Sequence, residues 1–196
     1  MRKIPTIFER DWDGDRSRVI DKPVEGVEWV FAGDGIATRK YDGSCCMIRN
    51  GTLFKRHEVR EGKATPEGWQ PVEHDTTTGK LVGWIPVGDG PEDQWFREAL
   101  ENATAARGAR LIDGTYELLG PKVQGNPEHY TEHTLLRHLE AEQYEDIPLT
   151  FEGIKAFLEQ HDIEGLVFHH PVDPDAKMAK IKARDFGIRR PQPANV

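Results

Sequence analysis

Asn50-Gly51 stands between two strand-like runs, one leading in from Ile36 and one leading out through Thr52 to Val59. A two-residue hairpin turn needs positive φ at both central positions, and Asn-Gly adopts that conformation at little steric cost. The chain is therefore predicted to double back here. Arg56 then lies a hairpin away from Lys40-Tyr41-Asp42-Gly43, on the return strand. Nineteen glycines and thirteen prolines extend the same logic, cutting the 196 residues into many short elements and turns.

Further strands are expected at Ile4 to Phe8, Val27 to Phe31, Leu81 to Val87, Leu111 to Leu119, Gly165 to His169 and Met178 to Ala183. Residues 61–80 are polar and broken by Pro and Gly, and read as a long loop. Three segments have helical spacing. Trp95, Phe96, Ala99, Leu100 and Ala103 recur along Asp93 to Arg107, with Gly108 after them. Leu135, Leu136 and Leu139 share one side of Thr134 to Gln143. Ile154, Phe157 and Leu158 follow Thr150, a residue suited to cap a helix. Strands and helices mix without regular alternation, so the expected class is α+β, with mostly antiparallel sheets and flanking helices. One domain over residues 1–190 and a loose tail at 191–196 account for the length.

No run approaches the roughly 18 apolar residues needed to span a membrane. The N-terminal Met1-Arg2-Lys3-Ile4-Pro5 lacks the apolar core of a signal peptide, so no membrane role and a cytoplasmic location are expected. Cys45 and Cys46 are the chain's two cysteines, and adjacent residues of this kind read as reduced strand residues rather than as a disulfide or a zinc site. The net charge of −8 argues against coating nucleic acid indiscriminately, though a local basic groove remains compatible with it. Two clusters qualify: Lys55, Arg56, Arg60 and Lys63, and Lys177, Lys180, Lys182, Arg184, Arg189 and Arg190. From charge alone each reads first as a solvated face.

The chemistry lies in an ordered series. Lys40 precedes a tight turn at Asp42-Gly43 that can hold it rigidly. Arg56 follows on the return strand, then Glu117 in Tyr116-Glu117-Leu118-Leu119-Gly120, then Glu164 in Glu164-Gly165-Leu166-Val167-Phe168. Lys180-Ile181-Lys182 puts two lysines on one face of a strand, because side chains alternate with period two. Singly each has an ordinary reading as a salt-bridged strand, a turn glutamate or a charged edge. Taken in this order they resemble the motifs of the covalent nucleotidyltransferases, the superfamily of ATP-dependent ligases and capping enzymes.

That resemblance implies a role for each residue and a single nucleotidyltransferase domain. Lys40 matches the nucleophile. Arg56 and Glu117 match residues that hold ribose and phosphate, beside Asp42 and Gly43 of the lysine motif. Glu164 matches the glutamate that helps place a divalent metal, Mg²⁺ or Mn²⁺. Lys180 and Lys182 match the lysines at the α-phosphate, and Val167 is a wall for adenine. Lys40-Tyr41-Asp42-Gly43-Ser44-Cys45-Cys46, Gly83-Trp84-Ile85-Pro86-Val87, Glu117-Leu118-Leu119-Gly120 and Gly125-Asn126-Pro127 are similar to the small RNA ligase family that includes the vertebrate 5′-to-3′ RNA ligase. DNA ligases and capping enzymes usually carry arginine where this chain has Cys45. They also append an oligonucleotide-binding barrel, the C-terminal OB-fold, for which too few residues follow Lys182 here.

The implied reaction takes AMP from ATP onto Lys40, passes it to a 5′-phosphate RNA end, and seals that end with a 3′-hydroxyl. A lysine must be neutral to attack, which at pH 7 costs roughly 4–5 kcal/mol from an unperturbed pKa of about 10.4. Neighbouring cations such as Lys180 and Lys182 lower that cost and meet the charge on phosphate oxygens. Three other readings stand beside this one: a capping guanylyltransferase, a DNA-joining ligase, and a nucleotide- or RNA-binding module without catalysis. His133, His138, His169 and His170 and the five tryptophans have ordinary structural readings, with phosphate or base contacts as the alternative.

Overall fold

The computed structural model describes residues 2–76, 78–174 and 177–190. In chain order the strands and helices are β1 (Phe8–Arg10), β2 (Val19–Pro23), α1 (Glu28–Phe31), β3 (Ile36–Lys40), β4 (Ser44–Arg49), β5 (Thr52–Arg60), β6 (Gln70–Asp75), β7 (Lys80–Pro86), α2 (Gln94–Arg107), β8 (Gly114–Leu119), β9 (Thr134–Arg137), β10 (Gln143–Tyr144), α3 (Phe151–Gln160), β11 (Gly165–His169) and β12 (Met178–Lys182). Short 3₁₀ turns at Pro91–Asp93, His138–Glu140 and Ala183–Phe186 complete the order. The class is α+β, and the pairings within all three sheets are antiparallel. The expected tail at 191–196 lies outside the described residues.

The chain divides into two compact units, one of residues 42–140 with the first three residues, the other of residues 4–41 and 141–196. The first unit is built on a six-stranded sheet in the order β6-β7-β5-β4-β8-β9. The predicted hairpin is present, with Asn50 at φ 51° and Gly51 at φ 73° joining β4 to β5. Cys46, Ile48, Leu53, Tyr116, Leu118 and Leu135 form its core with Ala99 and Ala103 of α2. Gly108, left-handed at φ 64°, closes that helix. Both cysteines are free. Burial raises the Cys46 thiol well above its usual pKa, which keeps it protonated.

The second unit holds a four-stranded sheet, β10-β3-β11-β12, and the β1–β2 ribbon. Its core gathers Ile7, Phe8, Val30, Leu166, Phe168, Ala179 and Ile181 against Ile154 and Leu158 of α3. Thr150 caps α3, its Oγ1 accepting the Gly153 amide at 3.1 Å.

Five segments depart from the sequence reading. The run from Ile36 to Asn50 is not one strand: it breaks after Lys40, β3 pairing in the four-stranded sheet and β4 in the six-stranded one. Val27 to Phe31 forms a single helical turn, not a strand. Thr134 to Gln143 begins as β9 and not as a helix, because Leu118 pairs with Leu135 and Tyr116 with Arg137. The expected long loop contains β6, whose register shifts between Pro71 and Glu73 where proline cannot donate to the ladder. The N-terminal strand is displaced to Phe8–Arg10, and Thr6 instead forms a parallel bridge with Lys180.

Candidate active site

In the second unit, strand pairing decides which side chains share a face. Gly165 of β11 lies opposite Lys40 of β3 and Lys182 of β12, and Val167 lies opposite Thr38 and Lys180. Residues directly opposite one another project to the same side. Lys40, Thr38, Val167, Lys180 and Lys182 therefore share one face. Ala37, Leu166, Phe168, Ala179 and Ile181 take the other, and are in the core. Burying Leu166 and Phe168 on that side contributes about 1.5–3 kcal/mol each, which pins the register and with it the lysine face.

Gly165 has no side chain to stand between the two lysines. A Cβ at this position meets the Ile181 carbonyl oxygen at 2.1 Å and the Lys182 Cα at 2.8 Å, so glycine is required for β11 and β12 to lie this close.

Glu164 precedes that glycine and gathers the lysines. Its Oε2 accepts from Lys40 Nζ at 2.6 Å, and its Oε1 accepts from Lys182 Nζ. The carboxylate is 11% exposed, and the lysine side chains 19% and 17%. Burial pushes the Glu164 carboxyl up, but the two ammonium groups outweigh it and hold the group below its ordinary range. Residues expected from sequence to act together thus form one ion-paired cluster drawn from β3, β12 and the residue just before β11. Two ammonium groups already neutralise Glu164. Its remaining lone pairs fit a magnesium ion as a single protein ligand, provided phosphate oxygens and water supply the rest of the shell.

Val167 is half-buried on the lysine face, in register with Lys180. His169 lies on the same strand face with Nε2 3.2 Å from Thr38 Oγ1 and Nδ1 2.9 Å from the Pro174 carbonyl oxygen. His170 turns instead to the Trp29 ring.

The lysine motif crosses the boundary between the units, which falls after Tyr41. Within the first unit, Gly43 donates its amide to Glu117 Oε1 at 3.1 Å, and Asp42 donates its amide to Glu128 Oε1 at 3.1 Å. A Cβ on Gly43 meets the Leu118 carbonyl oxygen at 2.3 Å, so this position also requires glycine. The other oxygen of Glu117 is 2.9 Å from His138 Nε2, while His138 Nδ1 is 2.9 Å from Thr115 Oγ1. Both oxygens of buried Glu117 are thus engaged, one on the turn and one on a histidine. Cys45, directly opposite Glu117, brings the ligand atoms of Cys45, Glu117 and His138 within 4.8 Å of one another.

Sequence reasoning did not assign His138 or Glu128 to this cluster. The strand pairing of Glu117 with Leu136, which precedes the turn carrying His138, has no local signature. Arg56 sits on β5 opposite Trp84, half-exposed, while Lys55 alternates to the other side and pairs with Asp93. His133 is fully accounted for by structure, since it is buried, stacked on Trp95 at 4.5 Å and 3.0 Å from Glu98.

No protein-family model matches the chain, and no curated protein matches it. Among solved structures, it is similar to the apo form of a lysine-to-alanine mutant of Naegleria gruberi RNA ligase R4a. The TM-score is 0.46 and the identity 14%, over 93% of this chain and 60% of that one. The chain thus spans about three fifths of that structure's length.

Proposed function

We propose that the protein is an ATP-dependent RNA ligase, with residues 1–190 as its nucleotidyltransferase domain and Lys40 as the residue that carries AMP. The observation that carries the reading is the convergence of Lys40 and Lys182 on Glu164, on the sheet face that also bears Lys180. That cluster contains a nucleophile, two cations for a phosphate and a carboxylate, in the motif order described above.

In the first step Lys40 gives up a proton to solvent water and its neutral Nζ attacks the α-phosphorus of ATP. An N–P bond forms as the bond to the bridging oxygen breaks, and pyrophosphate leaves. An ammonium ion has no lone pair to offer. The pairing of Lys40 with Glu164 is therefore a resting arrangement, which the arriving phosphate opens by competing for the cations. Lys180 and Lys182 then face the α-phosphate oxygens and offset the charge that accumulates on them. Glu164 would hold a magnesium ion, which would supply further charge neutralisation. Gly43, held by Glu117, keeps the turn after the nucleophile fixed. The resemblance also assigns nucleotide contacts to Asp42, Arg56, Glu117 and Val167; Glu117 frees an oxygen for a ribose hydroxyl by giving up one of its two present bonds.

AMP then passes to the 5′-phosphate of an RNA end, and a 3′-hydroxyl displaces it to give the phosphodiester. Splitting the condensation this way replaces one hard step by easier displacements. The test is a chase: isolated lysyl-AMP protein is mixed with 5′-phosphorylated RNA, 5′-hydroxyl RNA or nicked DNA. Transfer of label to 5′-phosphorylated RNA, followed by sealing to a 3′-hydroxyl, is expected. Transfer only to nicked DNA, or labelling by GTP in place of ATP, refutes the RNA-ligase reading.

A further inference from the structure

The basic residues from the end of β12 onward divide three ways. Lys182 belongs to the Glu164 cluster, and Arg190 lies 3.0 Å from Asp162. Arg184 and Arg189 take a third course. They line a cleft of about 470 Å³ with Arg10, Arg16 and Arg18, which arrive from the other end of the chain. Asp185 is the carboxylate among the lining residues, so five arginines face one acid in a protein of net charge −8.

The cleft is anchored from beneath. Asp185 is 2% exposed. One oxygen lies 2.8 Å from Arg10 Nη1 and the other accepts the Lys182 amide at 3.0 Å. Arg10 also donates to the Ser17 carbonyl at 3.1 Å, which holds the loop carrying Arg16 and Arg18. The Arg18 guanidinium occupies the space a Cβ would fill on Gly187, with Nη1 1.3 Å from that position. Asp15 pairs with Arg18 at 3.3 Å, and Asp11 turns to the amides of Gly14 and Asp15. Arg16, Arg184 and Arg189 are exposed and, among the described residues, form no ion pair. Arg16 sits 5.9 Å from the ring of Trp12, which is 57% exposed.

We infer that this cleft binds the phosphate backbone of single-stranded RNA, with Trp12 offering a ring on which a base stacks. Unneutralised guanidinium groups bind consecutive phosphates, and an exposed aromatic beside them suits an unpaired base rather than a duplex or a small anion. The choice of RNA among polyanions rests on the ligase reading. The charge, the cleft and the exposed indole do not. Because the Asp185 that anchors Arg10 also holds the Lys182 amide, RNA seated here lies one short turn along the chain from the lysine strand.

The test measures fluorescence anisotropy of short 5′-phosphorylated single-stranded RNA over a salt series, for wild type, Arg184→Gln/Arg189→Gln and Trp12→Ala. Loss of two phosphate contacts weakens binding roughly tenfold or more and makes the salt slope shallower by about 1.4, at about 0.7 per contact for single strands. Trp12→Ala weakens binding with little change in slope. Labelling by α-labelled ATP stays at the wild-type level in all three. Unchanged RNA affinity and slope in the double variant overturn the inference. So does retained RNA binding with lost ATP labelling, which makes the cleft a nucleotide-phosphate site. A wild type that binds RNA through these arginines but takes no label refutes the ligase reading and leaves the cleft standing.

Discussion

Glu117 accepts the amide proton of Gly43 at 3.1 Å, so a carboxylate expected at the ribose holds the turn that follows the proposed nucleophile. Its second oxygen is 2.9 Å from His138. Glu117→Ala leaves a half-buried amide and a half-buried histidine nitrogen without their acceptor and is expected to destabilise the protein by about 1 kcal/mol. Lysyl-AMP formation falls with it. Glu117→Gln keeps an acceptor for Gly43 and should retain most stability. Chemical denaturation of both variants checks this. Equal stability of Glu117→Ala and wild type contradicts the bracing role.

Gly165→Ala forces a Cβ against the backbone of Ile181 and Lys182. Neither contact is with a flexible side-chain end, so β11 and β12 must part. A cost of about 1–3 kcal/mol is expected, together with loss of ATP labelling as Lys182 leaves its place. A variant as stable and active as wild type contradicts the required close approach.

Glu164 and Lys40 differ in what their removal leaves. Lys40→Ala leaves Glu164 still paired with Lys182, and stability changes little. Glu164→Ala leaves two ammonium groups confronting each other in a partly buried site, costing on the order of 3 kcal/mol. Comparing the two denaturation midpoints tests this ordering, and a larger loss for Lys40→Ala reverses it.

The same cluster sets a pH dependence. The folded-state pKa of Glu164 is lowered, so its contribution to stability is complete above the ordinary glutamate range and is lost as pH falls through the lowered value. Stability of the wild type is expected to decline in acid more steeply than that of Glu164→Gln. Parallel declines indicate that Glu164 contributes no linkage.

Much of this was legible because strands have a period of two and turns have specific chemistry. Asn50-Gly51 locates a hairpin, Thr150 locates a helix start, and the spacing of Lys180 and Lys182 puts them on one face. The failures have physical causes. Val27 to Phe31 is too short and too apolar for periodicity to distinguish a helical turn from a strand. Leu135, Leu136 and Leu139 have helical spacing, yet pairing with β8 overrides it. Residues Gln70–Asp75 look like loop because an edge strand tolerates proline and polar residues. The arginine cleft was half visible: Arg184 and Arg189 stood out as a charged run, but their convergence with Arg10, Arg16 and Arg18 is tertiary. His138 reached Glu117 by the same kind of long-range pairing.

The central claim is covalent chemistry at Lys40, and one measurement meets it directly. Purified protein, first stripped of bound AMP with pyrophosphate, is incubated with α-labelled ATP and magnesium and run on a denaturing gel. The account predicts a labelled band at 22.3 kDa in the wild type and none in folded Lys40→Ala. An unlabelled wild type, or a Lys40→Ala variant that still takes label, contradicts it.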